Sequence, residues 1–356
     1  MSFRKYVVAA VALVIASSAT HHSIYAAPSS GASEDTARLT AAVAAENTKS
    51  MVVLKGGEPV FSYGPVDAPE PTYTASVRKS ILTMLMGQSV DKGVIDVDKT
   101  LADLGIDDVQ GLSEQEKTAR VKDLLAARSG IYHPASNFSG VTDAGPKRGD
   151  HAPDTYYWYN NWDFNAVGTI FEELTGASIF DEFNRQFVGP MGLQKFDAEK
   201  HKTAKAEHSR ENSQHPPYYF LLSSTDLAKL GQLMLQKGVW EGERLLSEDW
   251  VEESVALITP SKEMNPESFE GGELGYGYMW WVFDPATSDP KFEDAYVARG
   301  HFGQYILVMP KLDMVIAHKT EPIPYKTQEE YAAINVSWDE FRKIVDVAIE
   351  TFADES

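Results

Sequence analysis

Apolar residues fall into short strand-like blocks toward both ends of the chain and recur at helical spacing through its middle. After an Ala-rich helical stretch around Glu34 to Asn47, the runs Met51-Val-Val-Leu-Lys55 and Glu58-Pro-Val-Phe-Ser-Tyr63 flank Gly56-Gly57 and predict a β-hairpin. Ile81, Leu82, Leu85 and Met86 then take up helical register, and Gly93 closes that segment, so a strand-to-helix junction falls near Ser76. From about Leu101 to Pro260 the pattern is helix and loop, with long polar connections at Asn137–Pro153 and Asp197–Pro217. Strand patterns return at Gly275–Phe283, Ala295–Arg299, Gln304–Met309 and Met314–His318, the last two joined as a hairpin through Pro310-Lys-Leu-Asp313. Ser337 is placed to cap a final amphipathic helix with Phe341, Ile344, Val345, Val347 and Ile349 on its apolar face. Strands early and late with helices between them predict an α+β fold, an antiparallel sheet built from both chain ends with helices on its flanks. The α/β part is expected at about 34–100 and 270–356, and a mostly helical insertion at about 101–269.

With 356 residues and 43% hydrophobic content the chain can bury a large core. A formal charge of -20 repels nucleic acid and anionic membranes and suits a small neutral or cationic substrate. No cysteine is present, which excludes disulfides, thiolate metal sites and lipid attachment at Cys. Arg4 and Lys5, the apolar run Tyr6–Ala16 and Ser17-Ser18-Ala19 have the form of a secretory signal over residues 1–26, leaving one domain from 27 to 356. The apolar run is too short to span a bilayer, so the expectation is an exported protein, periplasmic or extracellular, without a stable membrane anchor.

Three places could carry chemistry. In Ser76-Val-Arg-Lys79 the serine sits where a helix begins, its N–H among the unpaired donors there, with Lys79 on the same helical face. An amine in reach of a serine hydroxyl can take its proton when burial or a nearby cation lowers its pKa. A plain N-cap followed by a solvated lysine has the same spelling, and Ser288-Asp-Pro-Lys291 repeats the spacing in what reads as a turn. Tyr159-Asn-Asn161 is the chain's one Tyr-X-Asn; its phenol can shuttle a proton and its second amide can hold a lysine or a substrate carbonyl, or the stretch can simply pack an interface. In Gly300-His-Phe-Gly-Gln304, glycine lets substrate backbone come close, His301 can offer a charge or hydrogen bond, and the Gln304 N–H can face an oxyanion; a bare turn reads the same way.

Together and in this order the three motifs resemble the serine β-lactamase and penicillin-binding-protein superfamily, in its class C and carboxylesterase branch. Val121–Ile131 is similar to the family's Leu-Leu-X-X-X-Ser-Gly turn, Ser223–Gly231 and Gly238–Leu246 to its later helices, and Gly275-Tyr-Gly-Tyr-Met-Trp-Trp to the strand that follows. The resemblance spans roughly residues 35 to 352 and implies a β-lactamase/transpeptidase-like fold. It implies Ser76 as nucleophile, Lys79 as activating amine, and Tyr159 as base or relay, without deciding between the last two. It also implies Asn161 as orienting amide, and Ser76 and Gln304 N–H groups around the oxyanion, with His301 and Gly303 in the third motif. His301 stands where many members have lysine, a weaker anchor for a substrate carboxylate. The implied substrate is a small ester, amide or β-lactam, cleaved without cofactor or metal. Trp158–Gly168 and the Gly-Gln pair are most similar to 6-aminohexanoate-dimer hydrolases and esterases. A class C-type β-lactamase, a D-amino peptidase and a catalytically silent receptor are the alternatives. There is no Gly-X-Ser-X-Gly elbow, no His-Glu-X-X-His and no phosphate-binding Gly-rich loop ending in Lys-Ser/Thr. Histidines 133, 151, 201, 208 and 215 lie in polar connections and read as solvated, whereas Tyr156, Tyr157, Trp158, Tyr218 and Tyr219 could line a cleft or pack a core.

Overall fold

The computed structural model describes residues 34–67, 71–137, 145–194, 196–265, 272–323 and 325–353; the expected signal segment lies outside them. The chain opens with helix α1 (Glu34–Ala44) and the hairpin β1 (Thr48–Lys55) and β2 (Glu58–Tyr63), turned by Gly56 and Gly57 at positive φ. Two short strands follow after the helical middle, β3 (Leu274–Tyr276) and β4 (Trp281–Phe283), then β5 (Tyr296–Gly300), β6 (Gln304–Met309) and β7 (Met314–Thr320). All seven form one antiparallel sheet in the order β2-β1-β7-β6-β5-β4-β3, so its middle joins the two ends of the chain, with Val53 opposite Ile316.

Alternation along the strands gives the sheet two covered faces. On one, Val315 and Ile306 press against Gly231 of helix α4 (Ser224–Leu235), where a side chain larger than hydrogen would collide with both. On the other, Tyr305 stacks on Phe341 of helix α5 (Trp338–Phe352) at 4.3 Å between ring centres. Ser337 caps α5 as expected, in a reciprocal capping box with Glu340. Helix α2 (Val77–Asp91) is the exception to the amphipathic rule. Polar Arg78, Lys79, Ser80 and Thr83 are buried along with its apolar residues, so the helix runs through the interior rather than along a surface. Helix α3 (Asn161–Thr175) lies against it.

Some local expectations are corrected. Gly275–Phe283 is a tight hairpin, not one strand. Gly277 has backbone oxygens of Ser254 and Ala256 where a Cβ would be, Met279 takes φ 59°, and the chain reverses between them. Gly238–Leu246 is a two-stranded ribbon (Val239–Trp240 with Glu243–Arg244) turned at Glu241 and Gly242, both at positive φ, rather than helix. The polar connection after Asp197 contains a helix, Ala198–Ala206, capped by the Asp197 side chain. Among the described residues no helix is long and apolar enough to cross a membrane.

Candidate active site

The segment leading into α2 is tied down bond by bond. Thr72–Tyr73 pairs with Leu221–Leu222, and the buried Lys319 ammonium donates to the carbonyls of Thr72 (2.9 Å) and Leu222 (2.8 Å). Thr74 donates to Phe220 O through both N (3.1 Å) and Oγ1 (3.0 Å), and Ala75 is held at φ 49°. Ser76 then enters α2 with helical angles, and its hydroxyl makes no capping bond. The Oγ accepts instead from Lys79 Nζ at 2.8 Å, and the same Nζ donates to Tyr159 OH at 2.5 Å. Two hydroxyl oxygens from distant segments therefore meet at one amine. Ser288 and Lys291, with identical spacing, lie on a turn around a short 3-10 helix and make no such contact.

The electrostatics follow from burial. Lys79 is 2% exposed, packed over the rings of Tyr159 (4.4 Å) and Phe164 (4.8 Å). Desolvation, and then the neighbouring Arg78, hold its pKa well below that of a free lysine. Desolvation raises the Tyr159 phenol, opposed by its hydrogen bond with Ser76 and by the charges of Arg78 and Arg299. Neither Arg78 nor Lys79 forms an ion pair with a described residue. Arg78 lies over the Tyr218 ring at 4.3 Å, gives Nη2 to Asn165 Oδ1 at 2.9 Å, and leaves Nη1 buried without a partner.

Tyr159 is set by the start of α3. Asn160 Oδ1 caps the helix by accepting from Asp163 N (2.9 Å), while its Nδ2 donates to Trp158 O (3.0 Å) and Trp158 N donates to Ala127 O (2.8 Å). The Tyr159 ring also packs among Phe164, Tyr276 and Trp281. Asn161, expected to orient Lys79 or a substrate amide, does not bond Lys79; its Oδ1 is buried and unpartnered among the described residues. Tyr157 and Tyr218 are core rings rather than cleft walls.

The third motif is a turn between β5 and β6, and its residues divide differently from expectation. Gly300 is the one that touches the nucleophile segment, with Thr74 O 2.7 Å and Ala75 Cβ 3.1 Å from where a Cβ would stand. Gly303, at φ 95°, serves the turn and packs against Val336. Phe283 N bonds Ala295 O and Trp281 pairs with Val297, so the even-numbered residues of β5 face β6. The Gln304 N–H is thereby committed opposite Gly300 and is not an oxyanion donor; its side chain donates to Thr320. His301 is stacked on Tyr331 (4.5 Å) and hydrogen-bonded to the hydroxyls of Tyr325 and Tyr331, and desolvation lowers its pKa, so it supplies no charge at neutral pH.

Sequence reasoning missed Arg78, Asn165 and Arg299. Arg78 was inside the first motif and Asn165 one helical turn past Asn161, but only packing shows that they meet. Nor are the histidines all solvated: His133, His201 and His215 are buried, His133 against Glu116 at 3.1 Å, because the helical region folds its connections inward. Among the described residues no cluster of His, Asp and Glu is arranged to hold a metal ion.

The fold recurs in known proteins. A class C β-lactamase superposes with a TM-score of 0.61 at 14% identity, covering 92% of this chain and 99% of that one. For a family VIII carboxylesterase the values are 0.60 and 16%, over 90% and 98%. For a candidate 6-aminohexanoate-dimer hydrolase from Bacillus anthracis they are 0.61 and 17%, over 86% and 80%. Identities this low speak for the fold alone. The family model named Beta-lactamase matches residues 34–321, most of the described chain, and the protein belongs to the Beta-lactamase family.

Proposed function

We propose that the protein is an exported serine hydrolase that cleaves a small ester or amide through an acyl-enzyme on Ser76. The observation that carries this reading is the single buried amine, Lys79 Nζ, within hydrogen-bond reach of both Ser76 Oγ and Tyr159 OH. A lysine held well below its usual pKa can be uncharged near neutrality, and a phenol held above its own keeps its proton. Those directions make Lys79 the base and Tyr159 the relay.

Ser76 Oγ adds to the substrate carbonyl carbon as its proton passes to Lys79 Nζ. The Ser76 N–H, which has no backbone partner among the described residues, faces the developing oxyanion at the helix start. The proton then travels through Tyr159 OH to the leaving oxygen or nitrogen as its bond to the acyl carbon breaks. Water adds to the serine ester as it gives a proton to the same amine, and the amine returns that proton to Ser76 Oγ as the acyl–oxygen bond breaks and the acid is released. The unpartnered Asn161 Oδ1 supports an additional role in accepting from a substrate N–H. Export rests on the leader pattern of residues 1–26, and mass analysis of the secreted chain's N-terminus tests it.

Ser76→Ala is the decisive variant. It is expected to lower kcat/KM on para-nitrophenyl butyrate by about a thousandfold or more. Retention of most of the activity would falsify the reading, and turnover of nitrocefin measured beside it would shift the substrate class to β-lactams.

A further inference from the structure

Lys319 is a buried amine that the proposed reaction does not use. It lies on β7 in register with Ser50 and with the parity of Val315, so its side chain leaves the sheet on the face covered by α4, and the residue is 2% exposed. Its described partners are all backbone carbonyls: Thr72 O at 2.9 Å and Tyr73 O at 3.5 Å on one short strand, and Leu222 O at 2.8 Å on the other. Those two strands are two residues long and pair only with each other. The acids whose charges reach Lys319 are engaged elsewhere, Asp226 by the N–H groups of Gln194 and Ser223, and Glu321 by Lys49. An apolar side chain would fill this space without the cost of burying an amine. It could not gather carbonyls from both strands.

We infer that Lys319 is a positioning residue for Ser76: its N–H groups clamp the Thr72–Tyr73 strand to Leu221–Leu222 and so fix where the nucleophile enters α2. This rests on the hydrolase reading above. Chain continuity carries the effect. Tyr73 O is held three residues before Ser76, Thr74 is fastened to Phe220 O, and Ala75 stands at φ 49°, a conformation that a residue with a side chain keeps only where its surroundings over-determine it. Gly300 closes the far side, with no room for a Cβ against Thr74 O and Ala75 Cβ. Because β7 lies between β1 and β6, the Lys319 clamp ties this segment to the middle of the sheet. An ammonium and a neutral amine both keep the two N–H groups that the short bonds to Thr72 and Leu222 need, so the clamp holds in either protonation state.

The experiment compares Lys319→Met, which fills the space without a donor, with Lys319→Arg, which brings N–H donors to the same carbonyls. Activity on para-nitrophenyl butyrate is counted per folded molecule, the folded fraction coming from a urea titration of each variant. Lys319→Met is expected to lose about 30- to 100-fold in kcat with KM within about twofold of wild type, since a shifted nucleophile slows attack without weakening binding. Lys319→Arg is expected to recover at least about fivefold of that loss. A wild-type kcat per folded Lys319→Met molecule overturns the inference, as do equal kcat losses in the two variants, the mark of a role in packing alone. Should Lys319→Met not fold, Lys319→Gln takes its place: one bond shorter, it reaches one strand at most, and a kcat loss of about tenfold at unchanged KM is expected, with wild-type kcat again overturning the inference. If the wild type cleaves no ester, the hydrolase reading has failed separately, and amide hydrogen exchange decides on the clamp. The peptide spanning 72–79 is then expected to exchange about tenfold faster in Lys319→Met than in wild type while the peptide 304–309 keeps its protection. Unchanged protection of 72–79, or equal loosening of both peptides, overturns it.

Discussion

A single methyl group placed on Gly300 tests whether the β5–β6 turn holds the nucleophile in place. Gly300 does not have a positive φ, so alanine brings no backbone strain of its own, and the whole effect comes from contact. The added carbon would sit 2.7 Å from Thr74 O, 3.0 Å from Gln304 Cβ and 3.1 Å from Ala75 Cβ. Relieving the first contact needs a shift of about 0.5 Å or more, and overpacking of this kind costs about 1–3 kcal/mol. Thr74 cannot yield freely, because both its N and its Oγ1 are bonded to Phe220 O. The displacement passes to Ala75, already at φ 49°, and from there to Ser76. A nucleophile misplaced by a good fraction of an ångström loses on the order of a hundredfold in rate. The assay is kcat/KM on para-nitrophenyl butyrate, measured well below the urea midpoint, together with that midpoint. Gly300→Ala is therefore expected to lower the rate far more than its loss of stability explains. A variant with wild-type rate would show that the turn does not press on the Thr74–Ser76 segment, and the account of how Ser76 is positioned would be wrong.

Two pH responses follow from buried bases. The free-enzyme kcat/KM should rise with pH as Lys79 loses its proton and level off well below the pKa of a free lysine; a rate still climbing tenfold per pH unit near 10 would contradict Lys79 as the base. His318 is fully buried between Thr48 Oγ1 at Nε2 and Gly303 O at Nδ1, with its pKa pushed down to about 4 by desolvation. The unfolded chain therefore binds the extra proton between about pH 4 and 6.5. Stability should rise with pH across that window by roughly 3 kcal/mol and flatten above it. Urea titrations of the wild type and of His318→Phe measure the difference, and parallel pH curves for the two would exclude His318 as the cause.

The sheet was legible because β1, β6 and β7 have two apolar faces to fill and are bounded by glycines or by Pro310–Asp313, whose turn places Asp313 at φ 45°. The bringing together of Ser76, Lys79 and Tyr159 was legible only as an ordered set of motifs, since no local rule joins residue 79 to residue 159. What the sequence hid has a common cause. The reversal at Gly277–Met279, the ribbon around Gly242 and the burial of His133 and His215 are set by backbone and side-chain neighbours from remote segments. Arg299 was read as the end of a strand, and nothing in its neighbours along the chain tells that two tryptophans from separate elements enclose it. Gln304 was misassigned for a simpler reason. The motif fixes which residues form the turn, but the ladder parity that decides which N–H groups are spent is a property of the pairing with β4.

The strand in the middle of the sheet is among the last to be synthesised. Until β7 emerges from the ribosome, β1 has only its hairpin partner, and Lys319 is not there to gather the carbonyls of Thr72 and Leu222. A nascent chain consequently carries Ser76 and Lys79 for most of its elongation without the walls that make them reactive. Folding must wait for contacts between its two distant ends, a topology that slows the search and lengthens the period in which the chain is still threadable.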